Sequence, residues 1–392
     1  MKIDKAASVS ISPYLRYFEE RRGALVETIR QMVEMESPSF NKASVDLLGA
    51  WLAERFEKLG GTVRIDEQPW YGNHLQVDFP ARPGAGSRRR RPILLLGHFD
   101  TVYELETLTK MPCKIEKGQL HGPGVFDMKS GIGLMLHAIE ALQSVHGGLP
   151  RAVRIWLVTD EEVGSQSSRG KTEKLAKQCE AVLVLEPSGP HGALKTSRKG
   201  VGDYTVRVTG QAAHAGLDPG AGQSATVELA LQIARIAAFG EPKRGLTVNV
   251  GVIRGGTRTN VIAAEAVAEV DVRIQRLGDA TRIDRKFRAL KPVNRKCKLD
   301  ISGGVNRPPM ERTAGTVALL SKAQAIAREI GWKLEETAVG GGSDGNFTAA
   351  LGIPTLDGLG GVGDGAHAAH EHVVIEELPR RAALIAGLLA QL

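Results

Sequence analysis

Val153-Arg154-Ile155-Trp156-Leu157-Val158-Thr159-Asp160-Glu161-Glu162-Val163-Gly164 decides the fold. Its first six residues are a largely apolar run of strand length, and the run empties into a loop carrying two adjacent carboxylates. A strand without polar alternation is buried on both faces, as happens in a parallel sheet covered by helices. Two neighbouring carboxylates against such a core are costly unless a cation neutralises them, so Glu161 and Glu162 point to a metal site.

The same arrangement recurs on either side. Residues 93–96 are apolar and lead into His98-Phe99-Asp100-Thr101-Val102; residues 181–185 are apolar and lead into Glu186-Pro187. Between them lies Gly122-Pro123-Gly124-Val125-Phe126-Asp127. One histidine and several acidic residues therefore fall just beyond strand-like runs or in the loops between them, where open α/β sheets gather ligand-binding groups. Helical spacing of apolar residues over 14–35, 42–59 and 130–142 supplies covering helices, the second stopping at Gly60-Gly61. The fold class is α/β, with a mixed, mostly parallel sheet flanked by helices.

Near Gly200 the pattern changes. Residues 202–208 alternate, 222–238 are helical, 246–253 and 265–274 alternate, 280–290 are weakly helical, and 297–301 form a short strand. That order is βαββαβ, a ferredoxin-like α+β module with an antiparallel sheet. Helical spacing resumes over 314–330, and Gly340-Gly341-Gly342-Ser343-Asp344 and Ile353-Pro354-Thr355 read as returns to the first sheet. The expected domains are 1–199 and 311–392, together one catalytic domain, with 200–310 inserted as a lid or dimerisation domain.

Composition narrows the function. The chain has 392 residues, 42% of them hydrophobic, enough for two globular domains. Its net charge of +7 suits anionic small molecules but comes with no nucleic-acid motif. The run Arg88-Arg89-Arg90-Arg91 follows a Pro/Gly stretch and reads as a solvated loop between two strands. Cys113, Cys179 and Cys297 are odd in number and widely separated, which supports neither a disulfide framework nor a cysteine zinc site. Residues 1–13 lack a long apolar core and no stretch approaches the roughly twenty apolar residues of a membrane span, so a cytoplasmic enzyme is expected.

A fifth ligand position lies in Gly365-Ala366-His367-Ala368-Ala369-His370-Glu371. Two zinc ions need about seven or eight donor positions, and one bridging carboxylate lets five side chains serve both while leaving room for water. His98, Asp127, Glu162, Glu186 and His367 make that set, and Asp100 is placed to receive the other N–H of His98. Cobalt or manganese would accept the same ligands. His121, His137, His146 and His191 belong to no motif and read as structural or solvated.

Taken in order, His98-x-Asp100-Thr101-Val102, the Gly-x-Gly-x-x-Asp127 loop, Asp160-Glu161-Glu162, Glu186-Pro187, Gly-Gly-x-Ser343-Asp344 and His367-x-x-x-Glu371 resemble the M20 metallopeptidases over nearly the whole chain. Gly255-Gly256-x-x-x-Asn260-Val261-Ile262 and Asp271-Val272-Arg273 are most similar to the glutamate carboxypeptidase branch. The resemblance implies a zinc-exopeptidase-like fold in which Asp127 bridges two zinc ions. His98 and Glu186 would complete one shell, Glu162 and His367 the other. It also implies a cis peptide between Asp127 and Met128, Glu161 as general base, and Asn260 and Arg273 as binders of the substrate's C-terminal carboxylate. His214 would be a histidine reaching the scissile carbonyl from the partner subunit of a homodimer. The implied activity is removal of a C-terminal amino acid, expected to be glutamate, from a peptide-like or N-acyl substrate. The alternatives are an aminoacylase or acetylornithine deacetylase type of amidohydrolase, and a catalytically inactive binding protein of the same fold.

Overall fold

The computed structural model describes residues 11–83 and 90–392. Arg88 and Arg89 of the arginine run and most of the N-terminal stretch read above thus lie outside the described residues. The chain separates into two compact units. One comprises Met1–Ser197, Arg312–Val339 and Ser343–Leu392; the other comprises Arg198–Glu311 with Gly340–Gly342.

The first unit is built on a six-stranded sheet in the order Thr62–Asp66, His74–Phe79, Val153–Val158, Ile93–His98, Ala181–Val184, Thr355–Leu356. The last four strands are parallel to one another, and the first two join through antiparallel pairings. Successive side chains of a strand point to opposite faces, and here both faces are covered. Ile93, Leu95, Ile155, Leu157 and Leu183 pack into a core with Leu25, Ile29, Leu52, Ile139 and Ile385. Leu94, Leu96, Trp156, Val158, Val182 and Val184 pack on the other side with Leu175, Ala176 and Cys179. Buried Trp156 satisfies its indole N–H on Thr172 Oγ1 at 2.9 Å. The uninterrupted apolar runs therefore have the cause expected of them. The helix read over 14–35 is two, Ser12–Glu20 and Arg22–Val33, broken at Arg21 inside the polar run 19–22. Asn41 caps the helix Lys42–Lys58 by accepting from Ser44 N at 3.1 Å.

A smaller sheet in the same unit matters for the site. Its order is Gly363–Asp364, His372–Val374, Gln119–His121, Lys114–Glu116, all antiparallel. Residues 365–371 are the loop of its first hairpin.

The second unit is a four-stranded antiparallel sheet ordered Thr247–Gly255, Glu265–Ile274, Gly200–Thr209, Lys298–Arg307. With the helices Ala225–Ala237 and Leu277–Arg288 its chain order is βαββαβ. Leu229, Ile236, Ile283 and Phe287 of the helices pack on Tyr204, Val206, Ala268, Val270 and Val272 of the sheet. The last strand runs six residues beyond its expected end because Gly303-Gly304 continues it. Gly303 holds φ +88° and a Cβ there would stand 2.0 Å from Asp203 O, so glycine is required at that position inside the strand. Gly340–Gly342 groups with this unit and forms no strand; of the two expected returns only Thr355–Leu356 joins the first sheet. Among the described residues no helix is long and apolar enough to cross a membrane.

Candidate metal centre

Three adjacent parallel strands end on the same edge of the large sheet and bring their loops together there. His98 is the last residue of Ile93–His98, Glu161 and Glu162 lie in the turn after Val153–Val158, and Glu186 lies two residues beyond Ala181–Val184. Asp127 comes from the loop before the helix Ser130–His146, and His367 from the 365–371 hairpin loop, where it adopts φ +62°.

The side chains converge on Asp127. Its Oδ1 stands 3.2 Å from His98 Nε2, and its Oδ2 stands 3.3 Å from His367 Nε2. Glu186 Oε1 is 3.4 Å from His98 Nε2, and Glu162 Oε2 is 3.2 Å from His367 Nε2. Each oxygen of one carboxylate thus faces its own histidine–glutamate pair. Ligand atoms of His98, Asp127 and Glu162 lie within 4.8 Å of one another, as do those of His98, Glu161 and Glu186. Glu161 therefore stands beside the His98 half of the cluster.

Asp100 does what its spacing suggests. Fully buried, it presents its carbonyl O at 3.1 Å and Oδ1 at 3.4 Å to His98 Nδ1. That fixes the proton on Nδ1 and leaves Nε2 as the donor atom for a metal. Asp100 Oδ2 accepts from Ser39 Oγ at 2.7 Å and from Glu162 N at 3.3 Å, tying two ligand loops together.

The electrostatics are those of a site that wants positive charge. Burial opposes protonation of His98, yet Asp100, Asp127 and Glu186 raise it well above an ordinary imidazole. Asp127 and Glu162 raise His367 to about 10 against the effect of burial. Burial alone would raise Asp127, but its hydrogen bonds with His367 and His98 hold it far below the usual carboxylate range. Burial pushes Glu162 up to about 7 despite His367. Without metal the cluster gathers protons; divalent cations are the alternative that leaves every ligand in its binding form. Glu162 Oε1 is buried with no hydrogen-bond partner, as a metal donor atom would be. Mixed imidazole and carboxylate donors suit zinc, cobalt or manganese.

In the sequence Glu371 is only the end of the His367-x-x-x-Glu371 motif; in the structure it organises the centre. Completely buried, it accepts from Phe126 N at 2.8 Å and Asp127 N at 2.9 Å on Oε1, and from Gly124 N at 3.0 Å and Tyr103 Oη at 2.6 Å on Oε2. A carboxylate four residues after His367 therefore holds the backbone that presents Asp127. Gly124 has φ +72°, and a Cβ there would meet Thr101 Cγ2 at 2.6 Å, which explains the glycine in that loop. The Asp127–Met128 peptide is cis. The neighbouring His372 is turned away: its Nδ1 lies 3.0 Å from His370 O and its ring packs on His121 at 5.3 Å.

The remaining expected residues belong to the second unit, where two come together and one stands apart. His214 and Asn260 lie on adjoining loops joined by Ala215 N to Asn260 O at 3.0 Å and Ile262 N to Ala213 O at 2.9 Å. His214 is exposed, and its Nδ1 accepts from Gly216 N and Leu217 N, both at 3.1 Å. The proton must then sit on Nε2, which presents an N–H outward. Arg273 instead pairs with Asp271, its Nη2 2.8 Å from Oδ2 and its Nε 3.0 Å from both oxygens. It lies eight positions along the strand from Glu265, where the Asn260 loop ends. At about 3.3 Å per residue that is roughly 26 Å. In one chain, Arg273 and the His214–Asn260 pair therefore occupy opposite ends of the sheet.

A profile of Peptidase family M20/M25/M40 matches residues 94–391. The chain belongs to this family. It is 30% identical over 383 residues to carboxypeptidase G2 of Pseudomonas sp. (strain RS-16), covering 95% of this chain and 90% of that protein. Among solved structures, aminopeptidase PepT from Bacillus cereus superposes with a TM-score of 0.78 at 22% identity, over 94% of this chain and 98% of that one. The YXEP protein of Bacillus subtilis, described as a dinuclear metal binding peptidase from the M20 family, gives 0.65 at 14% identity over 95% and 98%. At such identities the structural likeness shows the α/β fold. Family membership makes the chain a hydrolase of the metallopeptidase type.

Proposed function

We propose that this M20 hydrolase uses two zinc ions to cleave the amide joining a C-terminal amino acid, glutamate foremost, to an acyl or peptide-like remainder. The observation that carries the reading is the division of Asp127, one oxygen toward His98 and Glu186 and the other toward His367 and Glu162. Two divalent ions held by these five residues would supply Lewis acidity and water activated near neutral pH. Glu161, beside the His98 half, takes the proton of the attacking water as its oxygen adds to the carbonyl carbon. It returns that proton to the amine nitrogen as the C–N bond breaks. Asp100 keeps His98 in the ligating tautomer, and Glu371 keeps Asp127 in place.

His214 offers its Nε2–H to the oxyanion, and Arg273 and Asn260 take the C-terminal carboxylate, Arg273 exchanging Asp271 for the substrate. Because Arg273 stands near one end of the strand Glu265–Ile274 and the His214–Asn260 pair adjoins the other, the reading brings both to one site by taking them from two subunits. The proposal therefore includes a homodimer. The exposed edge strand Thr247–Gly255 is a template for such pairing. A screen of N-acyl amino acids differing only in the C-terminal residue tests the reading, with metal-dependent release of glutamate as the expected result. Preference for an uncharged amino acid would favour the aminoacylase alternative. Mixing inactive His214→Ala with inactive Glu161→Gln protein tests the dimer: activity above the sum of the parents is expected. Recovery no greater than that sum, with subunit exchange verified, places His214 outside the partner's site.

A further inference from the structure

Beside Glu162 the first unit carries a cleft of ≈ 530 Å³, within the range of about 300–1,000 Å³ typical of small-molecule sites. Pro38, Phe40, Val102, Leu105 and Val163 supply its apolar lining. Three of these are large apolar side chains left in solvent, Phe40 at 79%, Val102 at 43% and Leu105 at 45% exposure. Phe40 also stands 6.3 Å from the ring of Tyr71. The two main walls are fastened to each other: Ser39 N bonds Thr101 O at 3.2 Å and Thr101 N bonds Ser37 O at 2.8 Å. The cleft is therefore preformed rather than a gap between mobile loops.

Two features identify what fits it. Glu162 belongs both to the lining and to the His367 half of the metal cluster, so an occupant abuts the reacting carbonyl. The charged side chains facing the cleft are Glu104 and Glu162; among the described residues no lysine or arginine lines it. Lys42, which follows the lining residue Asn41, is engaged by Asp46 at 2.9 Å and Asn73 at 2.8 Å. An anionic acyl tail such as succinyl would find no lysine or arginine in the lining to pair with and would stand near Glu104, and acetyl would leave most of the volume empty.

We propose that this cleft receives the acyl side of the scissile amide and selects a neutral, apolar acyl group larger than acetyl, with Phe40, Val102 and Leu105 as the specificity-determining residues. The proposal rests on the amidohydrolase reading above and adds the substrate class on the side that reading leaves open.

The test compares N-acetyl, N-succinyl, N-hexanoyl and N-benzoyl derivatives of the amino acid released best by the zinc-loaded protein. Hexanoyl and benzoyl substrates should exceed acetyl in kcat/KM by about tenfold or more, with succinyl no better than acetyl. Leu105→Lys should lower hexanoyl turnover at least about fivefold more than acetyl turnover and raise succinyl relative to acetyl, and Phe40→Ala should reduce the hexanoyl preference. Equal rates for acetyl and hexanoyl, or a uniform fall across all four substrates in Leu105→Lys, would overturn the assignment. If no N-acyl amino acid is cleaved, the amidohydrolase reading falls and calorimetry judges the cleft by itself. Hexanoate should then bind the zinc-loaded protein about tenfold more tightly than acetate and lose that advantage in Leu105→Lys; equal binding of the two would overturn it.

Discussion

Replacing Glu371 by glutamine removes no bulk and replaces no proposed metal ligand, yet it should weaken both the fold and the metal centre. The carboxylate accepts three backbone N–H groups and the Tyr103 hydroxyl on its two oxygens. Glutamine has one carbonyl oxygen. If that oxygen keeps Phe126 N and Asp127 N, the amide NH2 faces the N–H of Gly124, leaving it unsatisfied while Tyr103 reverses to accept. A buried unsatisfied N–H costs about 1–3 kcal/mol, and exchanging a charged for a neutral acceptor weakens the retained bonds further, so a loss of about 2–4 kcal/mol is expected. Because the same backbone presents Asp127, zinc affinity should fall about 10- to 100-fold, the usual range for outer partners of a metal site. Urea denaturation reads the first effect and zinc titration against a competing chelator the second. Excess zinc should restore most of the kcat. An unchanged denaturation midpoint together with unchanged zinc affinity would refute the positioning role.

Glu161→Gln should retain two zinc ions per chain while lowering kcat at least about a hundredfold; loss of metal would show that Glu161 is itself a ligand. Arg273→Ala should raise KM for substrates with a free C-terminal carboxylate and leave amidated analogues unaffected, and equal effects on both would remove Arg273 from the site. Zinc binding at pH 7 should release protons, because His98 and His367 are both raised and must deprotonate to bind. Titration calorimetry in buffers of different ionisation enthalpy measures this, and heats independent of buffer would contradict it. As the folded value of His367 lies above 6.5, its protonation stabilises the metal-free fold below about pH 6.5 and that contribution fades as the pH climbs to about 10.

Much of the fold was legible because the strands that carry the site are short, largely apolar runs that end in loops. Residues 93–98, 153–158 and 181–184 are buried on both faces, and their shortness and the loops that bound them separate them from buried helical runs. The edge strand Thr62–Asp66 is not legible in the sequence because half-exposed TVRID carries no apolar run. In the site, Asp100 was legible because it is two residues from the histidine it orients, whereas Glu371 acts on a loop more than 240 residues away in sequence. Arg273 shows a subtler limit. Residues i and i+2 of a strand share a face, so its pairing with Asp271 follows from the alternation already recognised. Its distance from Asn260 does not: thirteen residues of sequence conceal a full strand length, and only the register shows that the two stand at opposite ends.

The central claim is that Asp127 bridges two metal ions, each completed by one histidine and one glutamate. Anomalous diffraction at the zinc edge from crystals grown with zinc tests it most directly. The account predicts two peaks about 3.5–4 Å apart, one against Asp127 Oδ1, His98 and Glu186 and the other against Asp127 Oδ2, His367 and Glu162. A single peak at saturating zinc, or a second peak that leaves His367 and Glu162 unliganded, would contradict it.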